Sequence, residues 1–535
     1  MELKTNSTMK SVENKSEFRF TKILLAILSG IILTASFPPG AFSFMAWIAL
    51  IPLFLSLDKK SFAVSFKLGL IAGLTHYLTL IYWIMVVLGH YGNLSIIASL
   101  GPYIMLCFYL ALFLAIFSAL SRSVISSTFG FLWVPGFWVS LEYVRSNLMS
   151  GLPWCLLGYS QYKHLPVIQV ADIVGVYGIS FLIVFVNVYL FRLIRVHSKN
   201  KFYKLGLETG LTILLVSSTL IYGYFRISEM GNTENSSRSL KIVIAQGNID
   251  QSLKWEPSYQ KQTMEIYERL SRSMLSYNPD MIIWPETAVP FFFQNNRTFS
   301  PRIFSLAKES GAVIIFGSPA YTNVKGLTRY YNRAYLVSPQ NLPVQYYDKV
   351  HLVPFGEYVP LKNVFSFINR LVPAAGDFRA GKEVRPFSHS GLGIGVLICF
   401  ECIFPELARE HTLKGARILV NLTNDAWFGK TSAPHQHLSM AVFRAVENRR
   451  PLLRSANTGI SAFIEPQGRI VSKSRIFEEA VLYSSVHPKG RLTLYTLYGD
   501  VFVIFLSILS FLKIVIMRFS SDTPEFIQFG DIGSP

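Results

Sequence analysis

The chain has 535 residues, more than one domain usually contains, so we expect at least two domains. Hydrophobic residues make up 51% and charged residues only 15%, which excludes an ordinary soluble protein, where roughly a quarter is charged. The net charge is +18, but Lys and Arg fall mostly between apolar stretches and across the later polar region. No basic run is interleaved with aromatic residues. The pattern favours charges that set membrane topology over a nucleic-acid-binding surface.

Eight apolar stretches are candidates to cross a bilayer, which requires about 20 residues. Seven precede residue 230 and one follows residue 490, with approximate limits 21–38, 42–57, 64–88, 94–120, 128–146, 168–191, 206–226 and 498–517. The first follows a basic N-terminus, as a signal peptide would, but the later spans favour an uncleaved first helix. We predict a polytopic α-helical membrane domain of seven transmembrane helices at 1–228. An eighth transmembrane helix is expected at 495–520, before a cytoplasmic tail at 521–535.

The basic residues occur in every second predicted loop. They precede the first span and follow the second, fourth, sixth and eighth, at Lys4, Lys10, Lys15, Arg19, Lys22, Lys59, Lys60, Arg122, Arg192, Arg195, Lys199, Lys201, Lys204, Lys513 and Arg518. Arg145 and Lys163 are exceptions in an alternate loop. Because positively charged loops stay in the cytoplasm, we expect both termini there and residues 230–490 on the opposite face.

Residues 239–490 show a different pattern, which begins after a polar linker at 229–239. Short apolar runs such as KIVIAQGNI and GIGVLICF alternate with segments of helical spacing such as SYQKQTMEIYERLSRSML. Alternating strands and helices predict a layered α/β domain. Roughly 250 residues are enough to bury a full core.

Three residues of this region end apolar or aromatic runs and together indicate a covalent acyl-transfer site: Glu286, Lys349 and Cys399. Cys399 lies where a predicted strand ends and a helix begins, and the free amides of a helix N-terminus favour a thiolate. A carboxylate can accept the thiol proton, and an ammonium can stabilise an oxyanion. Alone, each residue type is more often a solvated carboxylate, a surface lysine or an inert cysteine. Their joint occurrence favours Glu286 as base, Lys349 as stabilising cation and Cys399 as nucleophile.

Nearby residues allow two interpretations each. Glu357 is either a loop carboxylate or the group that orients the lysine or shares a proton with the predicted base. Glu401 either lines the pocket or caps the following helix. Cys402 forms a lone CxxC pair with Cys399, a weak indication of a disulfide or metal, and we expect simple packing. Weaker candidates are His435 and His437, as a metal pair, and Asn424 and Asp425, which either line the pocket or cap a helix; we predict no metal site.

Several motifs carry a resemblance to known families: QGNIDQSLKW, WPET, DKVHLVPFGEYVP, CFE, NLTNDAWFG, AVFRAVENRRPLLRSANTGIS and, in the membrane part, GLPWCLLGYSQY. The triad resembles that of the nitrilase (carbon–nitrogen hydrolase) superfamily, whose fold is an αββα sandwich. Nearly all of 20–520 is similar to bacterial apolipoprotein N-acyltransferases. The resemblance implies essential carboxylates at Glu357 and Glu401 and a tryptophan implicated in activity at Trp255. Phe400 replaces a frequent Tyr of the family and lacks its hydroxyl.

This resemblance implies a ping-pong reaction in the bacterial inner membrane, with the catalytic domain in the periplasm. Cys399 attacks a phospholipid ester, with phosphatidylethanolamine and its sn-1 chain as the expected donor, and forms an acyl thioester. The α-amine of an S-diacylglyceryl cysteine at the start of an apolipoprotein then takes the acyl chain. This is the last step of lipoprotein maturation. No metal or organic cofactor is implied.

Lipid-anchored substrates need a pocket that opens at bilayer height. Apolar residues in predicted loops, at 291–293, 364–378 and 427–428, are either lipid contacts, including a mobile lid, or parts of the domain's own core. Two other functions remain: a membrane-tethered carbon–nitrogen hydrolase with water as acceptor, and a transporter or lipid-binding protein with a regulatory domain. A tether needs only one helix, and a transporter leaves the triad unexplained.

Overall fold

The computed structural model describes residues 20–40, 42–57, 61–197, 206–232, 239–340, 342–359 and 378–521. Some predicted features lie outside these residues. They are the basic residues before Phe20, Lys59 and Lys60, the basic residues at 199–204, all of the predicted lid at 364–378 except Phe378, and the tail beyond residue 521.

The first part of the chain is helical. Its helices are α1 (Phe20–Ala35), α2 (Ile51–Ser56), α3 (Phe62–Leu80), α4 (Ile84–Val86), α5 (Ile96–Val124), α6 (Gly130–Asn147), α7 (Leu165–Ile168), α8 (Ala171–His197) and α9 (Gly206–Asn232). Serine side chains cap the long helices α3 and α5: Ser61 accepts from the Val64 N–H and Ser95 from the Ala98 N–H. These caps begin the two helices where their apolar runs begin.

Residues 240–486 contain two six-stranded sheets, in the orders β12-β1-β2-β3-β4-β5 and β11-β10-β9-β8-β7-β6. The strands are β1 (Leu240–Gln246), β2 (Met281–Ile283), β3 (Val313–Val324), β4 (Leu327–Val337), β5 (Gln345–Asp348), β6 (Phe387–His389), β7 (Leu392–Ile398), β8 (Ala416–Thr423), β9 (Leu452–Ala456), β10 (Ala462–Ile464), β11 (Ile470–Lys473) and β12 (Ala480–Val486). The later helices are α10 (Pro257–Arg272), α11 (Ser300–Ser310), α12 (Pro405–Leu413), α13 (Ala433–Asn448), α14 (Leu494–Tyr498) and α15 (Val501–Ser521).

The central strands are apolar on both faces, so each sheet is covered on both sides. Between the sheets, Ile244 of β1 belongs to the same buried cluster as Val396 of β7. The neighbouring residue Val243 points the other way and packs in a cluster with Tyr267 of α10. Helices α12 and α13 belong to the buried cluster that joins the second sheet to the helical part. The layers are therefore α, β, β and α, as the family resemblance implied.

The strand directions bring particular loops to one edge. Strands β1, β2 and β3 are parallel, and so are β7, β8 and β9. Strand β5 runs in the direction of β3, because both strands pair antiparallel with β4. The carboxyl ends of β2 and β5 therefore lie at one edge of the first sheet.

Five described helices are long and apolar enough to cross a membrane: α3, α5, α8, Gly206–Glu229 of α9 and Val501–Arg518 of α15. The predicted spans 21–38 and 42–57 form shorter apolar helices, Phe20–Ala35 and Ser43–Ser56. The second is shortened because it is divided into a 3-10 turn at Ser43–Trp47 and helix α2. The predicted span 128–146 forms α6, which is not among the five. The described residues thus support five of the eight predicted crossings.

The predicted span 64–88 ends early, because α3 stops at Leu80. The Leu80 carbonyl accepts a hydrogen bond from Nε2 of Gln436 on α13 (3.0 Å). The Gln436 Oε1 accepts from the indole nitrogens of Trp83 (3.1 Å) and Trp154 (2.8 Å). One buried amide side chain thus satisfies three polar groups of the helical part and ties it to the sandwich.

Candidate active site

Three of the predicted site residues follow the carboxyl ends of strands. Glu286 follows β2 by three residues, Lys349 directly follows β5, and Cys399 directly follows β7. The first two strands belong to one sheet and the third to the other. The loops that follow therefore meet where the two sheets face each other.

A lysine and two carboxylates form a compact cluster there. The Lys349 Nζ lies 2.8 Å from Oε2 of Glu357 and 3.7 Å from Oε1 of Glu286, and the lysine is 1% exposed. Burial opposes the charge of Lys349, but the carboxylates of Glu357 and Glu286 outweigh it and raise its pKa above the usual value. The lysine is therefore a fixed ammonium at neutral pH. Of the two interpretations of Glu357, contact with the lysine is the one that the structure supports.

Asn332 of β4 joins the same cluster and was missed from the sequence. Its Nδ2 donates to Oε1 of Glu286 and to Oε1 of Glu357, both at 2.8 Å. Glu357 also accepts from the Val353 N–H (2.8 Å). An asparagine within a strand gives no sequence signal of such a role, because its contacts depend on tertiary packing.

Cys399 is half-buried and has a left-handed backbone conformation, with φ of 50°. Such a conformation costs a non-glycine residue about 1–3 kcal/mol and is held by its surroundings. The His437 Nε2 donates to the Cys399 carbonyl (3.2 Å). The His437 ring in turn contacts Asp425, whose carboxylate pairs with Arg454 (2.7 Å). His437 and Asp425 therefore support the backbone of the cysteine.

The expectation of a thiolate at a helix N-terminus is wrong. Cys399 begins a 3-10 turn, Cys399–Ile403, and helix α12 starts only at Pro405. Burial raises the pKa of the Cys399 thiol, the negative charge of Glu286 raises it further, and Lys349 lowers it less. The resting sulfur is therefore protonated, and its attack on a carbonyl requires a base.

Glu401 is fully buried and binds backbone. Its Oε2 accepts from the Ile398 N–H (2.7 Å), and its Oε1 accepts from the Val350 N–H (2.7 Å) and the Tyr347 hydroxyl (2.9 Å). Burial raises the pKa of Glu401 to about 7. The carboxylate links the segment after Lys349 to the strand before Cys399. It caps the 3-10 turn that begins at Cys399 and not the following helix α12, which starts at Pro405.

The remaining predicted residues lie further from this cluster. Phe400 is half-buried, and its ring centroid lies 5.1 Å from that of Phe404 and 5.9 Å from that of His351. Trp255 is 47% exposed on the turn before α10. The preceding residue, Lys254, is fully buried and donates to the backbone oxygen of Glu286 (3.3 Å). The sequence does not identify it, because the motif QGNIDQSLKW indicates family resemblance and not which of its residues is buried.

The two apolar loops at 291–293 and 427–428 pack mainly against other parts of the protein. Phe291 and Phe293 are buried in the core of the first sheet, whereas Phe292 is 36% exposed. The Phe428 ring lies 4.9 Å from that of Trp83 of the helical part, and the Trp427 ring lies 5.3 Å from that of Tyr91. The 427–428 segment therefore packs on the helical part and the 291–293 segment mainly on its own core.

Two family models match the chain. Residues 29–189 match the apolipoprotein N-acyltransferase N-terminal domain, and residues 241–491 match carbon-nitrogen hydrolase. The two-sheet part is therefore a nitrilase-like carbon–nitrogen hydrolase domain. Among solved structures, an amidase from Nesterenkonia sp. is similar, with 18% identity and a TM-score of 0.36, covering 47% of this chain and 91% of the amidase.

Curated relatives match almost from end to end. The apolipoprotein N-acyltransferase of Geobacter metallireducens is 45% identical over 485 residues, which are 90% of this chain and 92% of that protein. The enzymes of the same name from Pasteurella multocida and Methylococcus capsulatus are each 32% identical, covering 91% and 89% of this chain and 93% and 92% of their own lengths. Given this identity and extent, the chain belongs to the apolipoprotein N-acyltransferase family.

Proposed function

We propose that this protein transfers an acyl chain from a phospholipid to the α-amine of the N-terminal S-diacylglyceryl cysteine of apolipoproteins. The observation that carries the proposal is the cluster of Lys349 with Glu286 and Glu357 at the strand ends from which Cys399 also emerges. Family membership supports lipoprotein N-acylation as the reaction class. We propose phosphatidylethanolamine, through its sn-1 ester, as the donor.

In the first half of the proposed reaction, the Cys399 sulfur attacks the ester carbonyl and Glu286 accepts the thiol proton. The negative charge that develops on the carbonyl oxygen is stabilised by the Lys349 ammonium, a type of interaction worth about 3–4 kcal/mol. The carbon–oxygen bond then breaks, and Glu286 returns its proton to the leaving lysophospholipid. The acyl chain remains on Cys399 as a thioester.

In the second half, the apolipoprotein amine attacks the thioester carbonyl and Glu286 accepts an amine proton. The carbon–sulfur bond breaks, the proton returns to the sulfur, and the N-acylated lipoprotein leaves. Glu357 orients Lys349 throughout, because it holds the ammonium at 2.8 Å. Glu401 holds the two loops in register through their backbone N–H groups.

We also propose an inner-membrane location, with both termini in the cytoplasm and the catalytic domain, residues 239–490, in the periplasm. The membrane part would comprise 1–228 with seven crossings and 495–520 with the eighth. The alternation of basic loops supports this orientation. The contacts of Gln436 and Phe428 with the helical part support a site close to the membrane.

Purified protein with phosphatidylethanolamine and a diacylglyceryl peptide tests this function by mass spectrometry of the peptide. We expect an N-acylated peptide with the wild type and with Cys402→Ala, the buried neighbouring thiol, and none with Cys399→Ala. Free fatty acid as the sole product would instead indicate a hydrolase. If neither the N-acylated peptide nor free fatty acid forms with any phospholipid, the proposal is refuted.

A further inference from the structure

A second buried lysine, Lys254, lies against the turn that carries Glu286. Its Nζ donates hydrogen bonds to Oγ1 of Thr287 (2.7 Å) and to the backbone oxygen of Glu286 (3.3 Å), and its side chain is fully buried. Both acceptors are neutral. Burial of a lysine charge is costly and rare, so a purely structural role is a poor explanation for a lysine at this position.

The segment that delivers Lys254 is held at several points. Asn457, after β9, donates to the Ile249 carbonyl (2.8 Å) and accepts from the Ile249 N–H (2.9 Å). Asn424, after β8, donates to Oε1 of Gln251 (2.6 Å). The segment is thus attached to the second sheet, while Lys254 reaches the first. The position of its ammonium is therefore set by both sheets.

The turn that Lys254 contacts is strained. Thr287 has a φ of 46°, a left-handed conformation that is unfavourable for a β-branched residue. Such a conformation is unfavourable unless the surroundings of the residue support it. The two hydrogen bonds of Lys254 support this turn at adjacent residues, Glu286 and Thr287. The direction in which the Glu286 carboxylate leaves the backbone depends on this turn.

We propose that Lys254 is a positioning residue of the acyl transfer: it holds the Glu286–Thr287 turn so that the carboxylate meets Cys399, and its charge supports the thiolate during attack. The inference rests on the proposed function for the identity of the acyl donor. Burial lowers the pKa of Lys254 to about 7, although the negative charge of Glu286, and that of Cys399 when it is a thiolate, raise it. The lysine therefore carries its charge below pH 7 and loses it as the pH rises.

The test uses full-length protein and two rates. One is alkylation of Cys399 by iodoacetamide, which reacts with the thiolate, followed from about pH 6 to about pH 9. The other is single-turnover acylation of Cys399 by phosphatidylethanolamine. Lys254→Met removes the charge and its hydrogen bonds, and Lys254→Arg keeps a charge and donors. Lys261→Met is the matched control, because that lysine is exposed on α10.

We expect Lys254→Met to be alkylated roughly tenfold more slowly than wild type below pH 7, which corresponds to one pKa unit on the thiol. The difference should shrink above pH 7, where wild-type Lys254 also loses its charge. Acylation should slow at least as much, Lys254→Arg should recover part of both rates, and Lys261→Met should match wild type. Equal alkylation and acylation by Lys254→Met and wild type at every pH would overturn the inference.

A second variant covers the case in which Lys254→Met does not fold. Thr287→Val removes one acceptor but keeps the charge, so acylation should slow several-fold while the pH dependence of alkylation stays the same. Wild-type acylation by Thr287→Val would overturn the positioning role. If wild-type Cys399 is not acylated by phosphatidylethanolamine, the proposed donor is wrong, while the alkylation series still decides whether Lys254 acts on the thiol.

Discussion

At the scale of single residues, the site combines a protonated sulfur with a permanently charged lysine. Burial raises the pKa of the Cys399 thiol, and the carboxylates of Glu357 and Glu286 keep Lys349 charged. Lys349 therefore has no tendency to act as the base. Glu286 shares the ammonium and the Asn332 amide with Glu357. It is the carboxylate to which we assign the proton transfer.

Glu286→Gln keeps the size of the side chain but removes its ability to accept a proton. We predict that single-turnover acylation of Cys399 falls by about 10²–10⁴-fold, the usual contribution of a general base. Glu265→Gln, an exposed carboxylate of α10, is the matched control and should react at the wild-type rate. The two rates are measured by quantifying acylated and free Cys399 peptides over time.

An undiminished rate in Glu286→Gln would show that another group takes the proton. A rate that falls equally in Glu265→Gln would point to a general loss of charge rather than of a base. Thermal unfolding of both variants, compared with wild type, checks that the loss is chemical.

At the scale of elements, helix α13 connects the helical part to the backbone of Cys399. Gln436 binds Trp83, Trp154 and the Leu80 carbonyl. The adjacent residue, His437, donates to the Cys399 carbonyl. Two consecutive side chains of one helix thus contact the helical part and the backbone of Cys399. Displacement of this helix is expected to affect both stability and catalysis.

Gln436→Leu should lower the unfolding temperature in detergent and slow Cys399 acylation. The substitution leaves two indole N–H groups and one carbonyl without this partner, and each buried polar group left unpaired costs about 1–3 kcal/mol. The acylation rate should fall because His437 follows directly and is displaced with the helix. Gln262→Leu, on the exposed face of α10, controls for the loss of a glutamine.

If Gln436→Leu has the wild-type unfolding temperature, water can replace the hydrogen bonds of the Gln436 side-chain amide. If Gln436→Leu is less stable but acylates Cys399 at the wild-type rate, the contact of Gln436 with the helical part does not affect the backbone of Cys399. That result would contradict the role given to α13.

Features that follow from local sequence patterns can be predicted, whereas features that depend on contacts between distant segments cannot. Strand ends and apolar runs are local patterns, so the amino-acid sequence alone identifies Glu286, Lys349 and Cys399 as candidates. It does not identify Asn332 and Lys254, because their importance depends on contacts between distant segments. The thiolate expectation was wrong for the same reason: the local pattern suggests a helix end but does not reveal burial. The end of helix α3 at Leu80 also cannot be predicted from the sequence, because its hydrogen-bond partner is the distant residue Gln436.

At the scale of the whole molecule, three parts of the chain meet near Cys399. The first sheet supplies Glu286 and Lys349, and the second supplies Cys399. The helical part contributes Trp154, whose ring lies 5.7 Å from that of His437. Each part is needed for the proposed reaction, because the proposed catalytic groups come from both sheets and the proposed lipid substrates would come from the membrane. We propose that this assembly carries a fatty acyl chain on one sulfur, that of Cys399.

Mass spectrometry of the Cys399 peptide tests this claim most directly. Full-length protein is incubated with phosphatidylethanolamine alone and then given a diacylglyceryl peptide. Our account predicts that the Cys399 peptide gains the mass of one acyl chain, that hydroxylamine removes it as expected of a thioester, and that the added amine removes it while becoming N-acylated. Acylated lipoprotein peptide formed while Cys399 never carries an acyl group, or an adduct that the amine cannot discharge, would contradict the account.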